Sequence, residues 1–144
     1  MAARSDAGLA SELRLSVMRL RRRLSNERHP DNPLSMGAMA VLGCLHRNGD
    51  VSVGELAAHE RVQPPSMTRT VNALEEGGYV VRRAHETDGR QVVVVLTEQG
   101  RATLMADRAR RDAWLARRLR ELTPEERATL RQAAPILERL ATSD

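Results

Sequence analysis

Residues 78–100 read Gly78-Tyr79-Val80-Val81-Arg82-Arg83-Ala84-His85-Glu86-Thr87-Asp88-Gly89-Arg90-Gln91-Val92-Val93-Val94-Val95-Leu96-Thr97-Glu98-Gln99-Gly100. Two runs rich in β-branched residues, Tyr79 to Ala84 and Gln91 to Leu96, flank a polar loop, which predicts an antiparallel β ribbon. In the loop, Gly89 is expected to supply a positive φ, and Asp88 to turn its carboxylate onto a neighbouring amide or arginine. Arg90 then stands at the start of the returning strand, aimed outward. Thr97 can cap a long helix that runs to about Glu121.

Upstream of the ribbon, Gln63-Pro64-Pro65-Ser66-Met67-Thr68-Arg69-Thr70-Val71-Asn72-Ala73-Leu74-Glu75-Glu76-Gly77-Gly78 has proline at its first helical positions and glycine beyond its last. Those are the asymmetric marks of a helix with fixed ends. Before it, Ser52-Val53-Gly54-Glu55 is a capping box opening a short helix in which Leu56 and Ala57 face inward. Earlier still, Ser35 can cap a helix running to about Arg47, with Met39, Leu42 and Leu45 inward and Asn48-Gly49 closing it. Two short helices with a tight turn between them form a helix-turn-helix, and the ribbon that follows makes it a winged one. On the second helix Met67, Val71 and Leu74 share the core face. Pro65, Ser66, Thr68, Arg69 and Asn72 point away from it, with no acid before Glu75, which suits a face laid against phosphates.

The two ends of the chain carry long apolar stripes. Leu9, Leu13, Val17, Leu20 and Leu24 recur at helical spacing until His29-Pro30-Asp31-Asn32-Pro33 breaks the chain. Thr123-Pro124-Glu125-Glu126 is a second capping box, opening a last helix that ends near Leu140. Leu115, Leu119, Leu122, Leu130, Leu137 and Leu140 form its apolar side and that of the helix before it. Such faces at both ends of a small chain need a partner surface, and isologous pairing is the commonest solution. The predicted fold is therefore mainly α with a small β wing. Residues 34–97 form the winged helix-turn-helix region, and residues 1–30 and 98–144 supply N- and C-terminal dimerisation helices.

Composition narrows the function. The chain has 144 residues, 41% of them hydrophobic, which suits one domain with a modest core. It lacks phenylalanine and has one Trp and one Tyr, so the aromatic platforms of single-strand readers are missing. The formal charge of +4 suggests a polyanionic partner. Cys44 is the single cysteine, which excludes an intramolecular disulfide and fits a reducing compartment. The start, Met-Ala-Ala-Arg-Ser-Asp, does not resemble a secretory signal, and the longest nearly apolar stretch, Met36 to Leu45, is far short of the roughly 20 residues that span a bilayer. A cytoplasmic protein without a membrane partner is expected.

The run from Gly78 to Arg90, followed by Val95-Leu96-Thr97-Glu98-Gln99-Gly100, closely resembles the wing signature of the MarR family of bacterial transcriptional regulators. The resemblance extends to Leu34-Ser35, to Glu55-Leu56-Ala57 and to Pro65-Ser66-Met67-Thr68-Arg69. Asp88-x-Arg90 with Leu96-Thr97-x-x-Gly100 is its most specific part. His85 and Glu86 stand where Asp and Pro are frequent. The resemblance implies a homodimer whose terminal helices interdigitate, each chain offering a recognition helix to the major groove and a wing to the minor groove of double-stranded DNA. It further implies repression from palindromic operators, relieved in many members by a small aromatic or phenolic ligand. The residues expected at DNA are Pro65, Ser66, Thr68, Arg69, Asn72, Asp88 and Arg90.

Other readings are weaker. Ser66 has no Gly-x-Ser-x-Gly elbow, Glu75-Glu76 and Glu125-Glu126 diverge on their helices, and no phosphate-binding glycine loop is present, so catalytic residues and a cofactor are not expected. His29, His46, His59 and His85 show no short-spaced pairing that would suggest a metal site. Cys44 could make a redox-sensing repressor, but its apolar neighbours Val41-Leu42-Gly43 and Leu45 suggest inert packing. A winged helix that binds only protein is the more serious rival, since residues 61–95 carry five arginines against four acids.

Overall fold

The computed structural model describes residues 5–143. The first and last residues of the two expected dimerisation segments, 1–4 and 144, lie outside the described residues. Six helices and two strands follow in the order α1 (Asp6–Ser25), α2 (Met36–Asn48), α3 (Val53–Glu60), α4 (Pro64–Glu76), β1 (Val80–Ala84), β2 (Val92–Leu96), α5 (Glu98–Arg120) and α6 (Pro124–Thr142). The expected mainly helical winged fold is present. Among the described residues, no helix is long and apolar enough to cross a membrane.

The chain forms two compact units, one spanning Arg28–Ala109 and the other made of the chain up to Glu27 and from Arg110 onward. In the first unit Met39, Leu42, Leu45, Leu56, Ala57, Met67, Val71 and Leu74 are buried together with Val80, Val94 and Leu104. The inward faces expected for the three central helices therefore converge on one core. The helix starts follow from their caps: Ser35 Oγ accepts from the Ala38 N–H at 3.1 Å and Ser52 Oγ from the Glu55 N–H at 3.1 Å. Cys44 is fully buried, with Asn48 Nδ2 3.3 Å from its sulfur.

The ribbon pairs antiparallel in the register Val80 with Leu96 through Ala84 with Val92, each strand one residue shorter at its start than the sequence suggests. An isolated bridge adds a third partner, since the Val94 N–H donates to the Val51 carbonyl at 2.7 Å. Downstream, Thr97 hooks the ribbon to α5: its hydroxyl donates to the Gly78 carbonyl at 2.7 Å and accepts from the Gly100 N–H at 3.1 Å. Gly100 sits so close to the Tyr79 carbonyl that a β-carbon there would collide with backbone. One expectation fails at the loop. Gly89 does not adopt a positive φ, which among glycines is taken by Gly49 and Gly78. The turn is closed instead by the Gln91 N–H on the Asp88 carbonyl at 3.0 Å, and Asp88 Oδ1 accepts from the Arg90 N–H at 3.2 Å. An aspartate that opens and caps a turn in this way removes the need for a left-handed residue inside it.

In the second unit neither α1 nor α6 has a buried residue, and Leu9, Val17, Leu20, Leu130, Ile136, Leu137 and Leu140 are all exposed. Trp114 is the buried anchor here, with the guanidinium of Arg23 4.8 Å and that of Arg118 5.6 Å from its ring centroid. The capping box of α6 is complete: Thr123 Oγ1 accepts from the Glu126 N–H at 3.1 Å and Glu126 accepts from the Thr123 N–H at 3.0 Å.

Candidate nucleic-acid interface

The helix α4 is built with one face for the core and one for something else. Met67, Val71 and Leu74 are 2%, 0% and 1% exposed, which fixes the rotation of the helix about its axis. That rotation leaves Pro65, Ser66, Thr68, Arg69 and Asn72 on the exposed side. The Thr68 hydroxyl donates back to the Pro64 carbonyl at 3.0 Å, so its methyl group is the part presented outward. Ser66 and Arg69 border a cleft of about 600 Å³ shared with Leu34, Ser35 and Ala38 at and just before the α2 start. Arg69 makes no ion pair or side-chain hydrogen bond among the described residues.

Asn72 departs from the expectation of a free groove-facing side chain. Its Oδ1 accepts from Arg82 Nη2 at 2.7 Å. Arg82 at the same time meets both oxygens of Glu75: Nη1 donates to Oε1 at 2.7 Å, and the Arg82 backbone N–H donates to Oε2 at 2.9 Å. The first strand of the wing is thus clasped to the last turns of α4, and Glu75 is neutralised by an arginine of that strand, while Glu76 beside it is exposed. The sequence reading missed this clasp, because a pair seven residues apart across a turn has no periodic signature.

At the tip of the wing, His85 Nδ1 accepts the backbone N–H groups of Thr87 and Asp88, each at 3.2 Å. The ring takes over part of the turn-making, which accounts locally for a histidine at this position. Asp88 is spent on the Arg90 amide, as above. The Arg90 side chain is exposed and makes no ion pair among the described residues. The seven residues expected at DNA therefore divide into two groups. Pro65, Ser66, Thr68, Arg69 and Arg90 are presented outward, whereas Asn72 and Asp88 use an oxygen to hold other parts of the site.

Elsewhere in this unit, Asp107 is buried and accepts from Asn32 Nδ2 at 3.0 Å. The two place polar groups in a mainly apolar recess of about 170 Å³, lined also by His29, Pro33, Tyr79 and Ala106. Sequence reasoning gave neither residue a role.

Comparison with known proteins bears on this geometry. Residues 34–92 match the profile of the MarR family, from just before α2 to the first residue of β2. An uncharacterised HTH-type transcriptional regulator from Mycobacterium bovis is 46% identical over 133 residues, 92% of each chain. The crystal structure of a putative transcriptional regulator from Pseudomonas aeruginosa is 38% identical and superposes with a TM-score of 0.85, covering 96% of this chain and 97% of that one. Streptococcus pneumoniae FabT, solved in complex with DNA, shares the fold at 22% identity and a TM-score of 0.70, covering 94% of this chain and 97% of its own.

Proposed function

Because this chain belongs to the MarR family of HTH-type transcriptional regulators, we propose that it acts as a homodimeric repressor without catalytic activity, binding a palindromic operator. The observation that carries the reading is the outward face of α4, free of acids from Pro64 to Ala73, beside a wing that presents Arg90 with no ion pair among the described residues. An α-helix fits the major groove, and one arginine suits the negative potential of a narrow, A·T-rich minor groove. FabT, of the same fold, was solved on DNA.

Dimerisation is supported by the exposed apolar residues of α1 and α6. Leu13, Val17, Met18, Leu137 and Leu140 line one apolar trough, the type of surface that a second copy covers. Paired recognition helices would then stand about one DNA turn, roughly 34 Å, apart. Relief by a small phenolic ligand is supported by the recess at Asn32, Tyr79 and Asp107, which offers polar groups to a hydroxyl.

Footprinting on the DNA upstream of its own gene is the direct test. A protected palindrome with two half-sites is expected, and no protection on any promoter-proximal DNA would remove the repressor reading. Titrating small phenols into the bound complex tests the ligand. Release that is lost in Asp107→Asn would support the recess, and release unaffected by that change would place the ligand elsewhere.

A further inference from the structure

The two helices of the helix-turn-helix end in the same backbone wrap, but with different residues at its pivot. At the end of α4, the Gly78 N–H reaches the Glu75 carbonyl at 3.1 Å and the Tyr79 N–H reaches the Leu74 carbonyl at 2.9 Å. Gly78 lies between them with φ of 83°. At the end of α3, the Arg61 N–H reaches the Ala58 carbonyl at 3.3 Å and the Val62 N–H reaches the Ala57 carbonyl at 3.0 Å. Arg61 is the pivot, with φ 53° and ψ 44°. Such a wrap requires a left-handed residue and ordinarily takes glycine, because a β-carbon there crowds the following carbonyl. Arg61 is the one non-glycine residue with positive φ among the described residues.

Nothing in the fold uses the side chain that brings this strain. Arg61 is exposed and makes no ion pair or side-chain hydrogen bond among the described residues. Its setting does have a use for a cation. Three residues on, α4 opens with Pro64 and Pro65, and its N-cap Gln63 makes no side-chain cap bond. Neither proline has an N–H, so this helix start has lost two of the amide donors by which a helix-turn-helix commonly grips a phosphate. A guanidinium replaces them with a fork that fits phosphate oxygens. The two backbone bonds and the restricted left-handed well fix the direction in which that side chain leaves the turn.

We propose that Arg61 is a phosphate-gripping residue of the DNA interface, retained at a glycine position because the start of α4 is short of donors. The proposal rests on the DNA-binding reading of α4 and the wing. Its test compares the intact protein with Arg61→Gly, Arg61→Ala and Arg61→Lys, with Arg90→Ala as an independent reporter of the interface. Binding to a short mixed-sequence duplex is followed by anisotropy across a salt series, and each variant is melted. Arg61→Gly and Arg61→Ala should lose about an order of magnitude in affinity at low salt, with the slope of log K against log salt shallower by about 1 per arginine removed. Arg61→Lys should keep most of the slope. Arg61→Gly, relieved of strain, should melt a few degrees higher than wild type, and Arg61→Ala should not. Unchanged affinity and slope in Arg61→Gly, alongside weakened Arg90→Ala, would overturn the proposal and leave the interface standing. A lower melting point for Arg61→Gly would also overturn it, because the fold would then be using the side chain. Absence of salt-dependent binding by the wild-type protein would remove the interface itself.

Discussion

Glu75 holds Arg82 by both carboxylate oxygens, one on the guanidinium at 2.7 Å and the other on the backbone N–H at 2.9 Å. Arg82 passes the constraint on to Asn72 at 2.7 Å. A side-chain pair alone at a half-exposed site is worth little, but a carboxylate that also takes a backbone amide fixes the strand and not merely a side chain. Glu75→Ala is expected to cost about 1 kcal/mol in denaturant unfolding and to weaken DNA binding beyond what that loss explains. A double-mutant cycle with Arg82→Ala should show a coupling of about 0.5–2 kcal/mol in binding. Additive losses would mean the clasp does not orient the wing.

Arg69 lies on the exposed side of α4 without a side-chain partner among the described residues. If it reads a base, Arg69→Ala should cost about 1–3 kcal/mol on the operator and little on mixed-sequence duplex. Equal losses in a competition assay would make it a backbone contact.

Arg90 and Asp88 should separate cleanly, because Asp88 holds the backbone of the turn and Arg90 leaves its side chain outward. Arg90→Ala should melt normally and bind more weakly, with a shallower salt dependence. Asp88→Ala should bind more weakly because the loop is looser, with the salt slope kept. A lowered melting point and normal affinity for Arg90→Ala would make that arginine scaffold.

The apolar trough of α1 and α6 predicts the assembly state. Val17→Glu combined with Leu137→Glu should shift sedimentation from dimer to monomer and abolish binding to the palindrome, since each half-site alone keeps only one protomer's contacts. A wild-type monomer at micromolar concentration would contradict the dimer.

The box at the start of α6 carries a pH signature. Hydrogen bonds from the Thr123 backbone and hydroxyl, in that order, hold the Glu126 carboxyl below its usual value. A carboxylate lowered in this way adds stability above its ordinary pKa and loses it as pH falls through the lowered, folded value. Glu126→Gln should therefore melt below wild type at neutral pH, with the gap closing as the solution is acidified. A gap independent of pH would mean that the charge of Glu126 is idle.

Much of this was legible in the residues. The caps at Ser35, Ser52, Thr97 and Thr123, the inward triplet Met67, Val71 and Leu74, and the valine strand all act through local geometry and helical or strand period, which a sequence displays directly. The Glu75–Arg82–Asn72 clasp, the Asn32–Asp107 bond and the Val51 bridge were not legible. Each joins polar or backbone groups whose proximity exists only after the core has closed. Gly89 misled for the opposite reason: its own freedom is local, but the capping of the turn by Asp88 made that freedom unnecessary. Arg61 was legible as a cation but not as a strained one, since a left-handed pivot is invisible without backbone angles.

The Val51 bridge gives the wing a property beyond its shape. A bare two-stranded ribbon is marginal in water, and its pairing can slip. Here β2 is bonded on both edges, to β1 and to Val51, and Thr97 ties its exit to Gly78. All of these fastenings lie below residues 85–91. The tip is therefore a replaceable part on a fixed mount, open to changes of length and composition at little cost to the domain. Substitution and insertion at the tip leave the base that aims it in place, because that base is held by bonds the tip does not touch.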